Sequence, residues 1–247
     1  MGADQNIDWK PVAASALAWW HEAGVDALVG ETPRRWLIDD ATPRSAATAP
    51  AAAARAAPAP PTLAMPGTLA EFEAWRLGPQ APDAGWSGAR IGAQGNAASG
   101  LVIIVETPER DDAETGRLLS GPAGRIFDRM LAAIGRDRQS IYLAPMAVVR
   151  PATGRLPGDV EGLLGLALRH QIGLAAPRGV LLFGNAASRA VLGADVSEMR
   201  GGLRSFNHDG RKMAVVTSHH PRFLLERPAA KLDVWKDLQL LNQGLTA

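Results

Sequence analysis

Two histidines near the C-terminus stand where a side chain could do hydrogen-bonding or acid–base chemistry. His219 and His220 follow the apolar, β-branched run 212–217 and precede Pro221, a residue suited to the first turn of a helix. A histidine between a strand and a helix lies at the carboxyl end of a sheet, where it can donate a hydrogen bond or a proton to a ligand. The alternative is a histidine that only caps the helix.

A carboxylate, Glu106, follows another apolar run at 101–105. Facing a histidine across a sheet crevice, it could position water or stabilise a cation while the histidine stabilises a leaving anion, which is hydrolytic chemistry. Taken alone, Glu106 fits equally well as a loop or helix-capping carboxylate. The nearby Asp111, Asp112 and Glu114 lack the spacing of metal ligands, so we interpret them as a solvated loop and predict no metal site.

The elements that must position these residues alternate along the chain. Apolar runs predict strands, amphipathic segments predict helices between them, and this alternation implies parallel strands joined by right-handed crossovers. We therefore predict an α/β fold, a three-layer α/β/α sandwich with a central, mostly parallel four-stranded sheet. The predicted strands are 101–105, 141–144, 180–183 and 213–217, and the predicted helices are 69–77, 121–134, 159–174, one ending at Leu192, and 229–241.

Composition excludes several classes of protein. Of 247 residues 47% are hydrophobic, the net charge is +1, and cysteine is absent, which excludes disulfides, thiolate catalysis and cysteine-ligated clusters or zinc. Neither a signal sequence nor an apolar run of membrane-spanning length is visible, so a cytoplasmic monomer is expected. The C-terminal third is the most basic part of the chain, and a positive surface beside His220 would suit a phosphate backbone.

The chain is predicted to have three parts. Residues 1–40 form a helical extension containing Trp19, Trp20 and Trp36, which either docks on the main domain or binds a protein partner. Residues 41–66 are rich in Ala and Pro and are expected to be a disordered linker. Residues 67–247 form the main domain.

Several segments of this domain follow one known pattern. Val105-Glu106-Thr107-Pro108-Glu109 parallels Gly-Glu-Ala-Pro-Gly, and His220-Pro221-Arg222-Phe223-Leu224-Leu225 parallels His-Pro-x-Tyr-Leu-Leu. Between these two segments, the predicted helix from Phe127 to Gly135 closely matches the corresponding segment of the pattern. In this order, over residues 100–241, the segments resemble the uracil-DNA glycosylase superfamily, and within it the iron–sulfur-containing, thermostable branch.

The resemblance implies excision of a flipped, damaged base from DNA. Glu106 and His220 would be the catalytic residues: His220 would hydrogen-bond the departing base anion, and Glu106 would position water or stabilise the sugar cation. Arg222 to Leu225 would fill the gap left in the duplex. The implied base-pocket residues are Thr107, Pro108, Leu119, Pro145 and Asn185, and the implied DNA contacts are Arg150, Ser218, His219, Pro221, Arg222, Phe223, Leu224 and Leu225.

The chain also departs from the pattern of that branch. Its four cluster cysteines are missing; Val149 and Leu164 stand at two of their positions and should be buried, and no cofactor is expected. Leu119 aligns with the phenylalanine on which the base stacks, and Pro145 aligns with the asparagine that reads the base edge. Three hypotheses stay open: a glycosylase with an altered pocket, a catalytically silent module that binds DNA or a repair partner, and a small-molecule hydrolase.

Overall fold

The computed structural model describes residues 63–208 and 210–246, together with Lys10, 13–15 and 18–19, which are helical. The chain divides into two compact units, Met1–Arg55 and Ala56–Ala247. The predicted helical extension and linker lie almost wholly outside the described residues, so both stay predictions. Within the described residues, all strands belong to the second unit.

A six-stranded sheet forms the centre of this unit, in the order β1-β3-β2-β4-β6-β5. The inner strands β3, β2, β4 and β6 are parallel, and the short β1 and the outer β5 pair antiparallel at the two edges. Strands buried on both faces need continuous apolar runs, which is what the inner strands have. The strands are β1 Gln94–Gly95, β2 Leu101–Val105, β3 Tyr142–Pro145, β4 Gly179–Phe183, β5 Arg204–His208 and β6 Arg211–Ser218.

Helices cover both faces of the sheet. The odd residues of β2 pack with Phe127 and Leu241 on one face, and its even residues pack with Leu164 and Leu168 on the other. This makes the three layers of the predicted sandwich. The helices are α1 Leu69–Leu77, α2 Asp112–Thr115, α3 Pro122–Ala133, α4 Gly158–Ala175, α5 Asn185–Leu192, α6 Val196–Met199, α7 Pro221–Glu226 and α8 Lys231–Thr246, with 3₁₀ turns at Ala97–Ser99 and Pro228–Ala230.

The predicted α/β fold is therefore confirmed, with all four predicted strands and five predicted helices in place. The prediction missed the two edge strands. β1 has only two residues, and β5 is mostly polar and partly exposed, so neither has the apolar pattern that marks a buried strand.

A buried ion pair holds the segment that follows β3. Arg76 and Asp83 are 3.0 Å apart; Arg76 also donates to the carbonyl of Met146, and Asp83 accepts from the backbone N–H of Val148 at 2.6 Å. Val149 and Leu164 are wholly buried, as predicted. Among the residues that the structure describes, no helix is long and apolar enough to cross a membrane.

Candidate active site

A cleft of about 450 Å³ opens at the carboxyl ends of β2, β4 and β6. Glu106, which follows β2, and His220, which follows β6, both line it, and β4 lies between their strands. The structure thus brings the two predicted catalytic residues to one site. The cleft is lined by Glu106, Gly184, Asn185, Val196, Ser197, Ser218, His219, His220, Arg222, Phe223 and Glu226.

Glu106 is held against the start of α5. Its Oε1 accepts a hydrogen bond from the backbone N–H of Ala186 at 2.6 Å, in the first turn of the helix. The helix dipole and the free N–H groups at that end favour a negative charge. Burial nevertheless raises the pKa of Glu106, and the Ala186 hydrogen bond only partly opposes that rise. The side chain is therefore a carboxylate with enhanced basicity.

His220 both caps α7 and lines the cleft, so the two interpretations of the sequence hold together. Its Nδ1 accepts from the backbone N–H of Arg222 at 3.2 Å, and its ring packs edge-on against Phe183. Burial, followed by the charge of Arg222, lowers the pKa of His220 to about 3. A neutral imidazole whose Nδ1 is an acceptor carries its proton on Nε2. Nε2–H is consequently a fixed neutral hydrogen-bond donor.

Four more of the predicted residues line the cleft with side chains at least partly exposed. Phe223 stacks on His219 with ring centroids 4.5 Å apart, and the guanidinium of Arg227 lies over Phe223. Arg222 is exposed, as is Asn185, whose amide oxygen accepts from the backbone N–H of Val196. Aromatic and cationic groups around one opening are typical of a surface that holds nucleic acid.

Ser218 reaches the floor of the cleft but is not available to a ligand. It is wholly buried, and its hydroxyl donates to Asp237 at 2.7 Å. Asp237 also accepts from Arg200 and from the backbone N–H of Gly201. This network fixes the end of β6 just before His219. The Ser218 hydroxyl therefore anchors the histidine loop from behind, and the predicted contact of Ser218 with DNA stays a prediction.

Other predicted residues lie outside the cleft lining. Pro221 and Leu224 are buried, because α7 turns that face toward the core, and their predicted contacts with DNA stay predictions. Leu225 is 46% exposed and does face solvent. Arg150 donates to the carbonyl of Pro108 at 2.9 Å, so one of its donors holds the loop after β2. The predicted residues that do not line the cleft are Thr107, Pro108, Leu119, Pro145, Arg150, Pro221, Leu224 and Leu225.

Sequence reasoning missed two carboxylates beside the site. Asp112, interpreted as solvated, is wholly buried and accepts hydrogen bonds from the backbone of Glu109, Leu119 and Ser120, because three N–H groups of the folded loop need an acceptor. Glu109 lies 3.7 Å from Nε2 of His220. One feature of the sequence could have pointed to Glu109: it stands at the position where the glycosylase pattern Gly-Glu-Ala-Pro-Gly has its last glycine. Within the described part of the chain, no group of three His, Asp or Glu side chains could hold a metal ion.

A sequence model of the uracil DNA glycosylase superfamily matches residues 93–239, which include every strand of the parallel sheet and both Glu106 and His220. The chain belongs to this superfamily. Among similar proteins, the type-4 uracil-DNA glycosylase of Archaeoglobus fulgidus is 26% identical over 157 residues, 60% of this chain and 78% of that protein. The type-4 uracil-DNA glycosylase of Pyrobaculum aerophilum is 26% identical over 159 residues, which are 61% of this chain and 81% of that protein. The type-4 uracil-DNA glycosylase of Thermotoga maritima is 28% identical over 141 residues, which are 56% of this chain and 73% of that protein.

The iron–sulfur cluster implied by the resemblance to the thermostable branch does not fit the residues of this superfamily member. The sequence contains no cysteine, and the two aligned positions carry Val149 and Leu164, whose hydrocarbon side chains are packed in the interior and offer no ligand atom. The segment after β3 is instead fixed by Arg76 and Asp83.

Two residues of the superfamily's base pocket differ in character as well as in type. Leu119 is buried, with the positive φ of 52°. Pro145 ends β3, is buried, and has no side-chain donor or acceptor. Neither lines the cleft that contains Glu106 and His220. A base bound at these two positions, as the resemblance implies, would meet neither an aromatic side chain at 119 nor an amide at 145.

Proposed function

We propose that this protein is a DNA glycosylase that hydrolyses the N-glycosidic bond of a damaged nucleotide flipped into the cleft, with a base pocket different from that of the type-4 enzymes. Membership of the uracil DNA glycosylase superfamily and the activity for which its type-4 relatives are named support the reaction class. The substrate partner is DNA, and no cofactor takes part.

One observation carries the proposal. Glu106 and His220 line the same cleft, and the Nδ1 of His220 is occupied by the N–H of Arg222, which leaves Nε2–H as the donor. A neutral donor suits a base that leaves as an anion, because it stabilises the charge that develops without first giving up its proton. A buried carboxylate on the other side suits the positive charge that develops on the sugar.

The roles of the residues follow from this arrangement. As the bond from C1′ of the sugar to the base nitrogen breaks, its electron pair leaves with the base, and Nε2–H of His220 hydrogen-bonds the resulting anion. Glu106 stabilises the sugar cation and accepts a proton from the water that adds its oxygen to C1′. The base anion later takes a proton from solvent. The raised pKa of Glu106 favours the proton transfer.

A specific observation favours a second candidate, the catalytically silent DNA-binding module. Leu119 and Pro145 offer neither aromatic stacking nor base-edge hydrogen bonds, which in nucleic-acid complexes contribute about 1–3 kcal/mol each. Both residues also lie outside the lining of the cleft. A protein that retains Arg222, His219 and Phe223 around the opening would then bind DNA without turnover.

The experiment that separates the two candidates is base excision by the full-length protein. Single- and double-stranded oligonucleotides that carry uracil, hypoxanthine or another lesion are incubated with the protein, and abasic sites are revealed by alkaline cleavage. We expect excision of at least one lesion, and we expect H220A to lower its rate by about 10²-fold or more while duplex binding is retained.

A matched pair of variants controls for the loss of charge. E106Q removes the carboxylate in the cleft, and E114Q makes the same change at an exposed position of α2. Excision should collapse in E106Q and persist in E114Q. If the wild-type protein binds duplex DNA but releases no base from any substrate, the enzymatic proposal fails and the silent module is the better account.

A further inference from the structure

Glu109 is held in place by the loop that carries it. Its backbone N–H donates to Oδ2 of Asp112 at 2.8 Å, and the same buried carboxylate accepts from the backbone of Leu119 and from both the N–H and the hydroxyl of Ser120. A carboxylate with four donors is rigid. The position of Glu109 beside the cleft is therefore set by the loop and does not depend on its own side-chain contacts.

Three basic groups surround the carboxylate of Glu109. Nη1 of Arg222 is 3.0 Å from Oε2, Nη1 of Arg150 is 3.9 Å from the same oxygen, and Nε2 of His220 is 3.7 Å from Oε1. The Glu109 side chain is only 13% exposed. Burial raises the pKa of Glu109, and the charges of Arg222 and Arg150 oppose that rise. The two guanidinium groups form a cradle for an anion with two oxygens beside His220, and the protein's own carboxylate occupies it.

The contact contributes little to the fold. Arg222 is 44% exposed and lies in the first turn of α7, and an ion pair with such an exposed partner stabilises a protein by about 1 kcal/mol at most. Yet it places a negative charge beside the donor of His220, which is where the departing base must bind. A carboxylate fixed at that point competes with any anionic ligand for Arg222 and His220.

We propose that the cradle of Arg150 and Arg222, beside His220, is a phosphodiester site, filled by Glu109 in the free protein. A phosphodiester has the same charge as a carboxylate and, like it, two terminal oxygens. On binding, a phosphate of the DNA strand takes Arg222 from Glu109, and Nε2–H of His220 becomes available to the base. The inference rests on the proposed function in taking DNA as the ligand, and it makes Glu109 a competitor that weakens binding of DNA.

Duplex binding tests the proposal without any excision. Full-length wild type, E109Q, R222A and E109Q/R222A are titrated by fluorescence anisotropy against a short labelled duplex that contains no lesion, at low salt. E109Q should bind about three- to tenfold more tightly than wild type, because the competing charge is gone. The double variant should bind no more tightly than R222A, because the gain depends on a free Arg222.

E114Q is the control, since it removes one negative charge from the same loop at an exposed site; its affinity should match that of wild type. Equal or weaker binding by E109Q, an equal gain in E114Q, or a gain that persists in the R222A background would each overturn the proposal. Excision is assayed separately. If E109Q binds DNA more tightly but the wild-type protein excises no base, this inference is supported and the proposed glycosylase function is contradicted.

Discussion

A β-carbon on Gly184 would lie only 2.3 Å from Cδ of Glu106. Gly184 lies between β4 and α5 with φ of 99°, a conformation that other residues rarely adopt, and the space above it is where the Glu106 carboxylate reaches the first turn of α5. Glycine is thus required at this position for two reasons: the positive φ of the backbone, and the space that the Glu106 carboxylate occupies.

G184A should therefore displace Glu106 and lower excision by about 10²-fold, because a misplacement of about 1 Å in a catalytic group costs that much. G193A is the matched control: Gly193 has φ of 82° at the other end of α5, but a β-carbon there meets nothing within 4 Å. Both variants carry backbone strain of about 1–3 kcal/mol. Excision rates measured well below both melting temperatures should separate them; similar rates would contradict the role of Gly184.

The pH dependence of excision should show one acidic limb, which belongs to Glu106. The active form is the carboxylate, so the rate falls as the pH drops through the pKa of Glu106, which burial places above its ordinary value of 4.5. His220, with a pKa near 3, stays neutral throughout this range. The limb should be absent from any residual excision by E106Q; a limb near 6.5, the ordinary histidine value, that persists in E106Q would show that His220 titrates and is not the neutral donor.

The lowered pKa of His220 also predicts how the stability of the protein depends on pH. The unfolded chain protonates His220 as the pH falls below 6.5, whereas the folded chain does not until about pH 3, so the unfolded state binds more protons between these values. The free energy of unfolding should then decrease as the pH falls through this window. H220Q should show a shallower decrease than wild type in urea denaturation at a series of pH values.

The sequence predicts the fold well because strands that are buried on both faces have a simple pattern, a continuous run of apolar residues. The run Leu101–Val105 is apolar at every position, as a strand covered on both faces must be, and its bounds are reproduced by the structure. The places of Glu106 and His220 at one edge of the sheet were also predictable, since Glu106 comes directly after β2 and His220 comes two residues after the end of β6. The exposed polar strand β5 leaves no comparable pattern, so it was missed.

The less predictable features depend on which way a side chain turns. Nothing in the sequence of α7 distinguishes the buried Leu224 from the exposed Leu225 until the packing of the helix is known. Asp112 looks like its solvated neighbour Asp111, and only the folded loop brings three backbone N–H groups to it. Contacts between distant segments, such as Arg222 with Glu109, have no local signal.

Arg222 should set the salt dependence of binding. If its guanidinium takes a phosphate, R222A lowers the slope of log affinity against log salt concentration by about 0.9, the value for one phosphate contact on duplex DNA. R227A is the comparison, because Arg227 is also exposed on the C-terminal side of α7 but lies over the Phe223 ring. Anisotropy titrations over a salt series measure both slopes; an unchanged slope in R222A would remove Arg222 from the phosphate contacts.

The buried pair of Arg76 and Asp83 should be essential to stability in this cysteine-free member of the superfamily. Arg76 is 3% exposed and Asp83 is wholly buried, and together they bind the backbone of Met146 and Val148. D83N leaves the buried Arg76 charge without its partner, which typically costs about 3–5 kcal/mol in the free energy of unfolding. D128N breaks the surface pair with Arg138 and should cost less than about 1 kcal/mol. Urea denaturation of both variants tests this, and equal losses would mean that the pair does not hold the segment after β3.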